Sequence, residues 1–588
     1  MKTIEERMNE EMREAFSSCG FPEAGAAVTV SNRPDLCEYQ CSSAMAEAKK
    51  LHRKPIDIAE AVAEQLRGSS VFSEVSAVMP GFINLKVSAD AMAEALRAME
   101  AEPKYGAHMD SPRTILVDYG GANAAKPLHV GHLRSAIIGD ALKRMGAFFG
   151  NRMIGDVHLG DWGLQMGLII EELRLRKPDL PYFDPGFKGE YPAEAPFTIS
   201  ELEEIYPTAS KRAKEDKAFA ERAHASTRKL QEGDPGFRAL WKHIMRISTE
   251  DLRKNYDALD VHFELWKGES DAQPYIPGLI EDFEKRGIAH ESEGALVVDI
   301  AEPGDAKEYP PCIIRKSDGA SLYATSDLAT LIDREKHIAP ALYIYVADKR
   351  QSLHYTQFFR AARKGGIVPP EHELKYIGFG TMNGKDGKPF KTREGGVMRL
   401  EVLIRDVKEA VLKRILENRE IPEEEAQETA RIVALAALKY GDLLNQAAKD
   451  YVFDLDRFAS FEGNTGPYIL YTAVRIKSIL RKYGQQGGAP VSAGDLLPAE
   501  LPAERALSLE LTRYAGNVEA AWRDLAPHRV CQYLYSVADR FNAFYHEVPI
   551  LSEPDETKKR SYLALIRITG GILEACLGML GMRVPERM

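Results

Sequence analysis

The feature that most constrains this fold is the segment 126–132 (KPLHVGH), which lies between an apolar run and a helical pattern. Residues 114–119 (TILVDY) form a mostly apolar run of strand length, and 130–149 have a helical period that stops at Gly150. Residues 153–157 are again typical of a strand. The order strand, loop, helix, strand predicts a parallel sheet. Its binding crevice would lie beyond the carboxyl ends of the strands.

Composition sets wide limits on this chain. Its 588 residues predict about three to five domains. The net charge of −11 argues against a globally basic nucleic-acid-binding protein, although it allows a local basic track. No long uncharged apolar run and no basic, apolar leader is present, so we expect a cytoplasmic protein without membrane contact. Of the six cysteines only Cys37 and Cys41 are close in sequence, and we predict no protein-bound zinc.

Three domains are predicted along the chain. Residues 1–110 are typical of a small α+β unit, 111–400 of an α/β domain, and 401–588 of helices without strands. A charged, helical stretch at about 178–275 interrupts the α/β pattern and is interpreted as an insertion. Within it we predict helices at 211–229 and 235–259, and after it the α/β strands 295–300, 312–315, 342–347 and 374–379.

The segment 126–132 carries the most specific chemistry. His129 and His132 lie three residues apart on one face of the first helical turn. A helix N-terminus favours a polyphosphate, and Gly131 lets a flat ring approach the backbone. Phosphoryl or nucleotidyl transfer needs mainly charge stabilisation, which two imidazoles and Lys126 can give. Two surface histidines at a helix start are the alternative.

A second motif lies some 250 residues later, at 384–393 (GKDGKPFKTR), a glycine-rich loop with four cations. Such a loop can close on a triphosphate and neutralise the leaving pyrophosphate. A solvated turn of charges is the alternative when the loop is taken alone. Its pairing with the first motif favours the nucleotide.

Together the two motifs resemble those of the class I aminoacyl-tRNA synthetases. HVGH resembles the HIGH signature, and 388–392 (KPFKT) aligns with KMSKS and keeps both lysines, Lys388 and Lys391. The strings DYGGANAAKPLHVGHLRSAIIGDAL, HLGDWGLQMG, YDALDVHFELWKGES and FEGNTGPYILY resemble the arginyl-tRNA synthetase family, from about residue 80 to the end. The resemblance implies a Rossmann-type catalytic domain with a parallel sheet, an appended α+β N-terminal domain and an all-α anticodon-binding bundle.

The resemblance also implies an arginine site. Tyr323 and Asp327 match the family residues that bind the guanidinium group, for which a carboxylate fork is suited. Asp118 and Asn123 match residues beside the α-amino and carboxylate groups or near the guanidinium. Gln351 matches a further substrate residue.

For ATP, the resemblance places the phosphates at His129 and His132 and the adenine at Gly131. Lys391 would bind the β- and γ-phosphates, and Lys388 belongs to the same loop. Some family members use the lysine before the HIGH motif instead. Since Lys126 is also present here, either lysine can dominate. Mg²⁺ would arrive with ATP and bridge its phosphates.

The expected partners are L-arginine, ATP and tRNA(Arg). Tyr545 and Met588 match family positions that contact the anticodon, although Tyr545 fits a helix core equally well, and Asn84 matches a D-loop contact. The implied reaction is arginine–tRNA ligation through an arginyl-adenylate, by a monomer. Two alternatives stay open: a class I ligase of different amino-acid specificity, and a synthetase-like RNA-binding protein without catalysis.

Overall fold

The structure is a computed structural model that describes residues 2–109, 111–316, 323–388, 398–418 and 422–588. Its chain divides into two compact units. The first unit comprises 1–110, 460–578 and 582–588, and the second comprises 111–459 and 579–581. These units are not the three predicted domains, since the second unit also includes helices beyond residue 400. The predicted domain limits therefore stay predictions.

The N-terminal part of the first unit is built on a four-stranded antiparallel sheet. Its inner strand residues Tyr39, Cys41, Ile83 and Leu85 are fully buried. Two of the four strands have only three residues each, which is too short to show a period of two in the sequence. In spatial order the strands are Val28–Val30, Tyr39–Cys41, Phe82–Val87 and Phe72–Val78, and the accompanying helices are Ile4–Ser18, Ser43–Leu51, Pro55–Leu66, Ala89–Ala101 and the 3₁₀ turn Pro103–Gly106.

The C-terminal part of the first unit is helical. One of its helices, Glu556–Met579, is long and apolar enough to cross a membrane, but 67% of that stretch is buried inside the protein. A core helix of a folded domain meets the same criteria, and we interpret it as one. The helices are Gly466–Gln485, Pro502–Thr512, Tyr514–Arg523, Pro527–Glu547 and Glu556–Met579, with 3₁₀ turns at Ala493–Asp495 and Ile550–Ser552.

A four-stranded parallel sheet, called the central sheet below, organises the second unit. Its first strand, Thr114–Asp118, is followed by the motif helix Val130–Phe148 and then by Arg152–Asp156. The predicted parallel α/β fold is therefore confirmed. The connections diverge between the first and third strands in chain order, and the binding crevice of such a sheet is expected at that point. The spatial order is Glu373–Phe379, Leu342–Asp348, Thr114–Asp118 and Arg152–Asp156.

The predicted insertion is helical, but one of its helices was predicted wrongly. The stretch 211–229 is not one helix, because Ile199–Glu215 ends where Lys217–Glu232 begins. Asp216 has extended backbone angles, and its side chain accepts a hydrogen bond from the Phe219 amide as an N-cap. The helix Pro235–Ala258 follows as predicted.

Two predicted strands do not join the central sheet. Ala295–Val298 and Cys312–Arg315 form a separate antiparallel sheet with His290–Ser292. A short strand, Tyr451–Val452, also pairs with Met382–Asn383, although the sequence predicted no strand after residue 401. The remaining helices of this unit are Leu164–Arg176, Glu269–Ala272, Ile276–Lys285, Tyr323–His337, Ser352–Gly365, Leu400–Asn418, Glu423–Leu443 and Leu455–Phe458, with 3₁₀ turns at Pro181–Phe183, Gln273–Tyr275 and Lys349–Gln351.

A buried ion pair fixes the motif helix to the helix Glu423–Leu443. The guanidinium of Arg134 donates to Asp442 over 2.8 Å, and both side chains are almost wholly buried. Arg134 also donates to the carbonyls of Gly380 and Lys449, at 2.7 and 3.0 Å. One side chain therefore joins three separate segments.

We expect Arg134→Leu to destabilise the second unit by about 3–5 kcal/mol, because it leaves the Asp442 carboxylate buried without its partner. The thermal unfolding midpoint measures the effect. Lys285→Met is the control, since its pair with Glu281 is between side chains 71% and 65% exposed and should not affect the midpoint. Equal midpoints for the Arg134 variant and the parent would contradict this assignment.

Candidate functional site

Carboxylates from two neighbouring strands meet at the carboxyl end of the central sheet. Asp118 and Asp156 are in register at the ends of their strands, and both accept from Arg334, at 2.5 and 2.8 Å. Arg334 is 1% exposed, and its other terminal nitrogen donates to the Tyr345 hydroxyl at 3.0 Å. Burial raises the pKa of Asp118 although Arg334 opposes it. The predicted substrate residue Asp118 thus already has a protein partner.

The N-terminus of the motif helix holds the two predicted histidines together, with ring centroids 4.0 Å apart. His129 is the N-cap, and its Nδ1 accepts from the Gly131 amide at 3.0 Å. The His129 amide in turn donates to Nδ1 of His132 at 3.1 Å. Because both Nδ1 atoms accept, each neutral ring carries its proton on Nε2 and can donate from there.

Both imidazoles are held neutral. Burial, followed by the neighbouring His129, lowers the pKa of His132 to about 3. Burial and then the Lys126 ammonium lower the pKa of His129. Gly131 is needed by the histidines themselves, because a Cβ there would lie 2.8 Å from Cε1 of His129. The helix start therefore offers neutral donors and a positive dipole end.

Three of the predicted arginine residues, Tyr323, Asp327 and Gln351, lie on or next to two helices. Tyr323 begins the helix Tyr323–His337 and is 75% exposed, and Asp327 follows one turn later. The Asp327 carboxylate contacts Nε2 of His354 at 2.6 Å. Gln351 is exposed and precedes the helix Ser352–Gly365, which carries His354. The Asp327–His354 hydrogen bond thus joins the two helices that begin at Tyr323 and just after Gln351.

Asn123 lies opposite Gly160 across the loops that follow the first two strands. The backbone groups of Ala122 and Ala124 exchange hydrogen bonds with Gly160, at 3.1 and 3.0 Å. A Cβ at residue 160 would lie 2.2 Å from Oδ1 of Asn123. A glycine is required there so that the Asn123 side chain has room.

Glu269 is a further carboxylate near the site, which was not predicted although the string YDALDVHFELWKGES contains it. Glu269 begins a short helix, and burial raises its pKa to about 7. His158 lowers this pKa, whereas Asp161 and Asp327 raise it further. The pKa of Tyr323 is also raised, by loss of hydration first and then by Glu269. The short helix Glu269–Ala272 packs against the helix Tyr323–His337, so Tyr323, Asp327 and Glu269 are neighbours, and this group is called the acidic pocket below.

His158, also missed, lies beside this pocket. Its backbone has a left-handed φ of 39°, and within the described ranges neither buried ring nitrogen has a hydrogen-bond partner. The ring is near enough to lower the pKa of Asp156 and of Glu269. The string HLGDWG, which begins with His158, was the feature of the sequence that could have indicated this residue. In that string Trp162 is packed edge-on against Trp241, with centroids 5.4 Å apart.

The described lysines of the two motifs lie in different surroundings. Lys126 lies beside the imidazoles, as their lowered pKa values indicate. Lys388 is exposed, and its amide donates to the Asp386 carboxylate at 3.1 Å. Lys391 lies outside the described residues. Among the described side chains, no group of three or more His, Cys, Asp or Glu is arranged to hold a metal.

The three residues predicted to contact tRNA lie in the first unit. Asn84 is 8% exposed, and its Oδ1 accepts from Gln40 at 2.9 Å. Tyr545 is 37% exposed and has the Arg475 guanidinium 4.8 Å from its ring centroid. Met588 is 8% exposed. Tyr545 thus presents a partly exposed aromatic face, whereas Asn84 and Met588 are largely covered.

Three family profiles match consecutive parts of the chain. Residues 2–87 match "Arginyl tRNA synthetase N terminal domain" and residues 95–455 match "tRNA synthetases class I (R), catalytic domain". Residues 469–588 match "DALR anticodon binding domain". Together they account for most of the sequence.

Relatives of the same length support these matches. A protein of Agathobacter rectalis named arginine–tRNA ligase is 56% identical, and one of Alkaliphilus oremlandii with the same name is 50% identical, each with 100% of both chains covered. Among solved structures, arginyl-tRNA synthetase from Plasmodium falciparum matches with a TM-score of 0.80, at 25% identity and 100% coverage of both chains. The Thermus thermophilus enzyme, at 23% identity, has the same fold, with a TM-score of 0.77 over 99% of this chain and 100% of that one.

The raised pKa of Glu269 predicts a stability that depends on pH. Below pH 4.5 the carboxyl is neutral in both the folded and the unfolded chain, and between 4.5 and about 7 only the unfolded chain ionises. Stability therefore falls as pH rises through this window. Glu269→Gln should remove this loss and be more stable than the parent at pH 8, by up to about 3 kcal/mol, but not at pH 4.

Thermal unfolding midpoints at pH 4 and pH 8 measure this difference. Glu293→Gln, at an exposed position, is the matched control and should shift neither midpoint. An equal effect of Glu269→Gln at both pH values would show that the carboxyl is not held neutral by burial.

Proposed function

Because the chain belongs to the arginyl-tRNA synthetase family and its function is arginine–tRNA ligation, we propose that the acidic pocket binds L-arginine and that the start of the motif helix binds ATP. The observation that carries this assignment is the shared pocket of Tyr323, Asp327 and Glu269. A cluster of carboxylates suits a cationic side chain. The neutral helix start suits a polyphosphate.

Asp327 and Glu269 would receive the guanidinium group. A planar guanidinium can donate in pairs to carboxylates, whereas lysine offers a single point charge. Citrulline is neutral and would leave both carboxylates unpaired, which the pocket penalises. His354, at 2.6 Å from Asp327, would fix the direction of that carboxylate. Tyr323 would cover the bound side chain with its ring.

The substrate head group would lie towards the crevice. Asn123 and Gln351 offer amides for the α-amino and carboxylate groups, and Asp118 offers a carboxylate that Arg334 already holds in place. We therefore favour Asp118 as a neighbour of the α-amino group. The α-carboxylate is the nucleophile and needs no protein base to activate it.

In the first chemical step, an α-carboxylate oxygen of arginine attacks the α-phosphorus of ATP and pyrophosphate leaves. His129 and His132 would donate through Nε2 to the phosphate oxygens on which charge develops. Gly131 would lie against the adenine. Lys126 would neutralise the leaving pyrophosphate, together with Lys388 and Lys391 from the second motif. Mg²⁺ bound to the ATP phosphates would add positive charge there.

In the second step, the 2′-hydroxyl of the terminal adenosine of tRNA(Arg) takes the arginyl group and AMP leaves. Tyr545 would stack on an anticodon base, supported by its exposed face and the cation of Arg475. We also assign Met588 to the anticodon and Asn84 to the D-loop. We expect the protein to be a cytoplasmic monomer whose macromolecular partner is tRNA(Arg).

Asp327→Ala tests the arginine pocket. Loss of this charged contact should raise the arginine KM by about 30-fold or more, since such a contact is worth about 2–4 kcal/mol. Labelled arginine and total tRNA provide the aminoacylation assay. Lys336→Ala, on the same helix, is the control and should leave KM unchanged. A KM within twofold of the parent would mean that the guanidinium binds elsewhere.

His132→Ala tests the nucleotide site. The main effect should be on kcat, with a loss of about 100-fold for one transition-state donor. ATP–pyrophosphate exchange with tRNA present measures it, and His290→Ala, at a position outside both motifs, is the control. An unchanged kcat would remove His132 from the catalytic residues.

A further inference from the structure

The insertion reaches into the nucleotide site through one aromatic ring. The Lys126 ammonium lies over the ring of Tyr206, with Nζ 4.5 Å from the centroid. Tyr206 belongs to the insertion helix Ile199–Glu215. A lysine ammonium at this distance over an aromatic face is attracted by the ring quadrupole. The cation that lowers the pKa of His129 and His132 is therefore held by a residue of the insertion.

The Tyr206 ring is itself fixed by packing. It is partly buried against two apolar clusters that the insertion forms with the helix Leu164–Arg176, and one of these clusters consists of Leu168, Ala209, Phe219 and Ala223. A lysine side chain by contrast has four rotatable bonds and loses much freedom when it is held. A rigid ring under a flexible chain can restrict the ammonium to one position.

The backbone next to Lys126 is held by the insertion as well. The amide of Ala125 donates to the hydroxyl of Ser248 at 2.8 Å, and Ser248 is buried in the helix Pro235–Ala258. Ala125 has a left-handed φ of 61°, which non-glycine residues rarely adopt. The insertion therefore fixes both the backbone before Lys126 and the end of its side chain.

The same insertion helix also holds the chain that follows the second motif. Glu203 lies one turn before Tyr206 and pairs with Arg399 at 2.8 Å. The backbone of Arg399 is bridged to that of His129, and the Val130 amide donates to the Met398 carbonyl at 3.0 Å. One helix face thus contacts Lys126 of the first motif and Arg399, which follows the second motif.

We propose that Tyr206 is a positioning residue, which holds the Lys126 ammonium beside the two imidazoles so that it meets the pyrophosphate as it leaves. The proposal rests on the role assigned to Lys126 above and extends it to the insertion. Tyr206 acts through Lys126 and touches no reacting atom in this scheme. Its ring face matters, whereas its hydroxyl does not.

Three replacements at residue 206 separate positioning from packing. Tyr206→Phe keeps the ring and should have kcat within twofold of the parent. Tyr206→Leu and Tyr206→Met keep apolar bulk but lose the aromatic face. Each should lower kcat of ATP–pyrophosphate exchange about 3- to 30-fold, which is the range expected from a lost cation–π contact. Tyr191→Leu is the control, since that insertion tyrosine stacks on Tyr182.

A double-mutant cycle with Lys126→Met completes the test. In that background Tyr206→Leu should change kcat by less than twofold, because there is no ammonium left to position. Independent, multiplicative losses would overturn the proposal, as would a Tyr206→Phe loss equal to that of Tyr206→Leu. Thermal unfolding midpoints show which of the two apolar variants is folded, and the folded one is used.

The cycle also separates this proposal from the one on which it rests. If Lys126→Met lowers kcat and both apolar variants at 206 do not, positioning by Tyr206 is wrong and the role of Lys126 stands. If Lys126→Met leaves kcat unchanged, the role of Lys126 is itself wrong and the positioning proposal is overturned with it.

Discussion

The interaction on which the catalytic unit depends is the buried guanidinium of Arg334. It joins three neighbouring strands of the central sheet, through the carboxylates of Asp118 and Asp156 and the hydroxyl of Tyr345. A cation at this position compensates two carboxylates that burial alone would disfavour. It therefore allows acidic side chains to stand at the end of the sheet where the crevice opens. Without it, the carboxylates of Asp118 and Asp156 would be buried with no compensating charge.

The site is divided into two electrostatic parts. Around Asp327 and Glu269 the side chains are acidic, and burial holds the pKa of Glu269 close to neutral pH. Around His129 and His132 the rings are neutral and the helix dipole is positive. Arginine and ATP have opposite charges, so in the proposed assignment each part is matched to one of the two substrates. The same division explains how a chain with a net charge of −11 can bind polyanions such as ATP and tRNA, because binding depends on the local electrostatic field and not on the total charge.

The insertion was predicted only as a helical interruption of the α/β pattern, yet it contacts the first nucleotide motif and Arg399, which follows the second motif. Ser248 contacts Ala125, Tyr206 contacts Lys126, and Glu203 contacts Arg399. All three insertion residues lie on helices whose sequence periodicity indicates only amphipathic packing. Similar limits apply to Glu269 and His158. Single acidic or imidazole side chains have no periodic signal, and their burial depends on segments that are distant in the sequence.

The sequence by itself determined the parallel sheet and the motif helix with its histidine pair, because strand and helix periods and a helix N-terminus are local properties of the chain. The family followed from the resemblance of the two motifs and the longer strings to those of known synthetases. It also indicated Tyr323 and Asp327 through a motif one helical turn long. Only the tertiary structure decided that Asp118 faces Arg334 and that Asp327 faces His354. The strands Ala295–Val298 and Cys312–Arg315 were likewise assigned to their own sheet by tertiary pairing. Which carboxylates are buried together, and which cation compensates them, follows from long-range packing and desolvation, and these are absent from any local pattern.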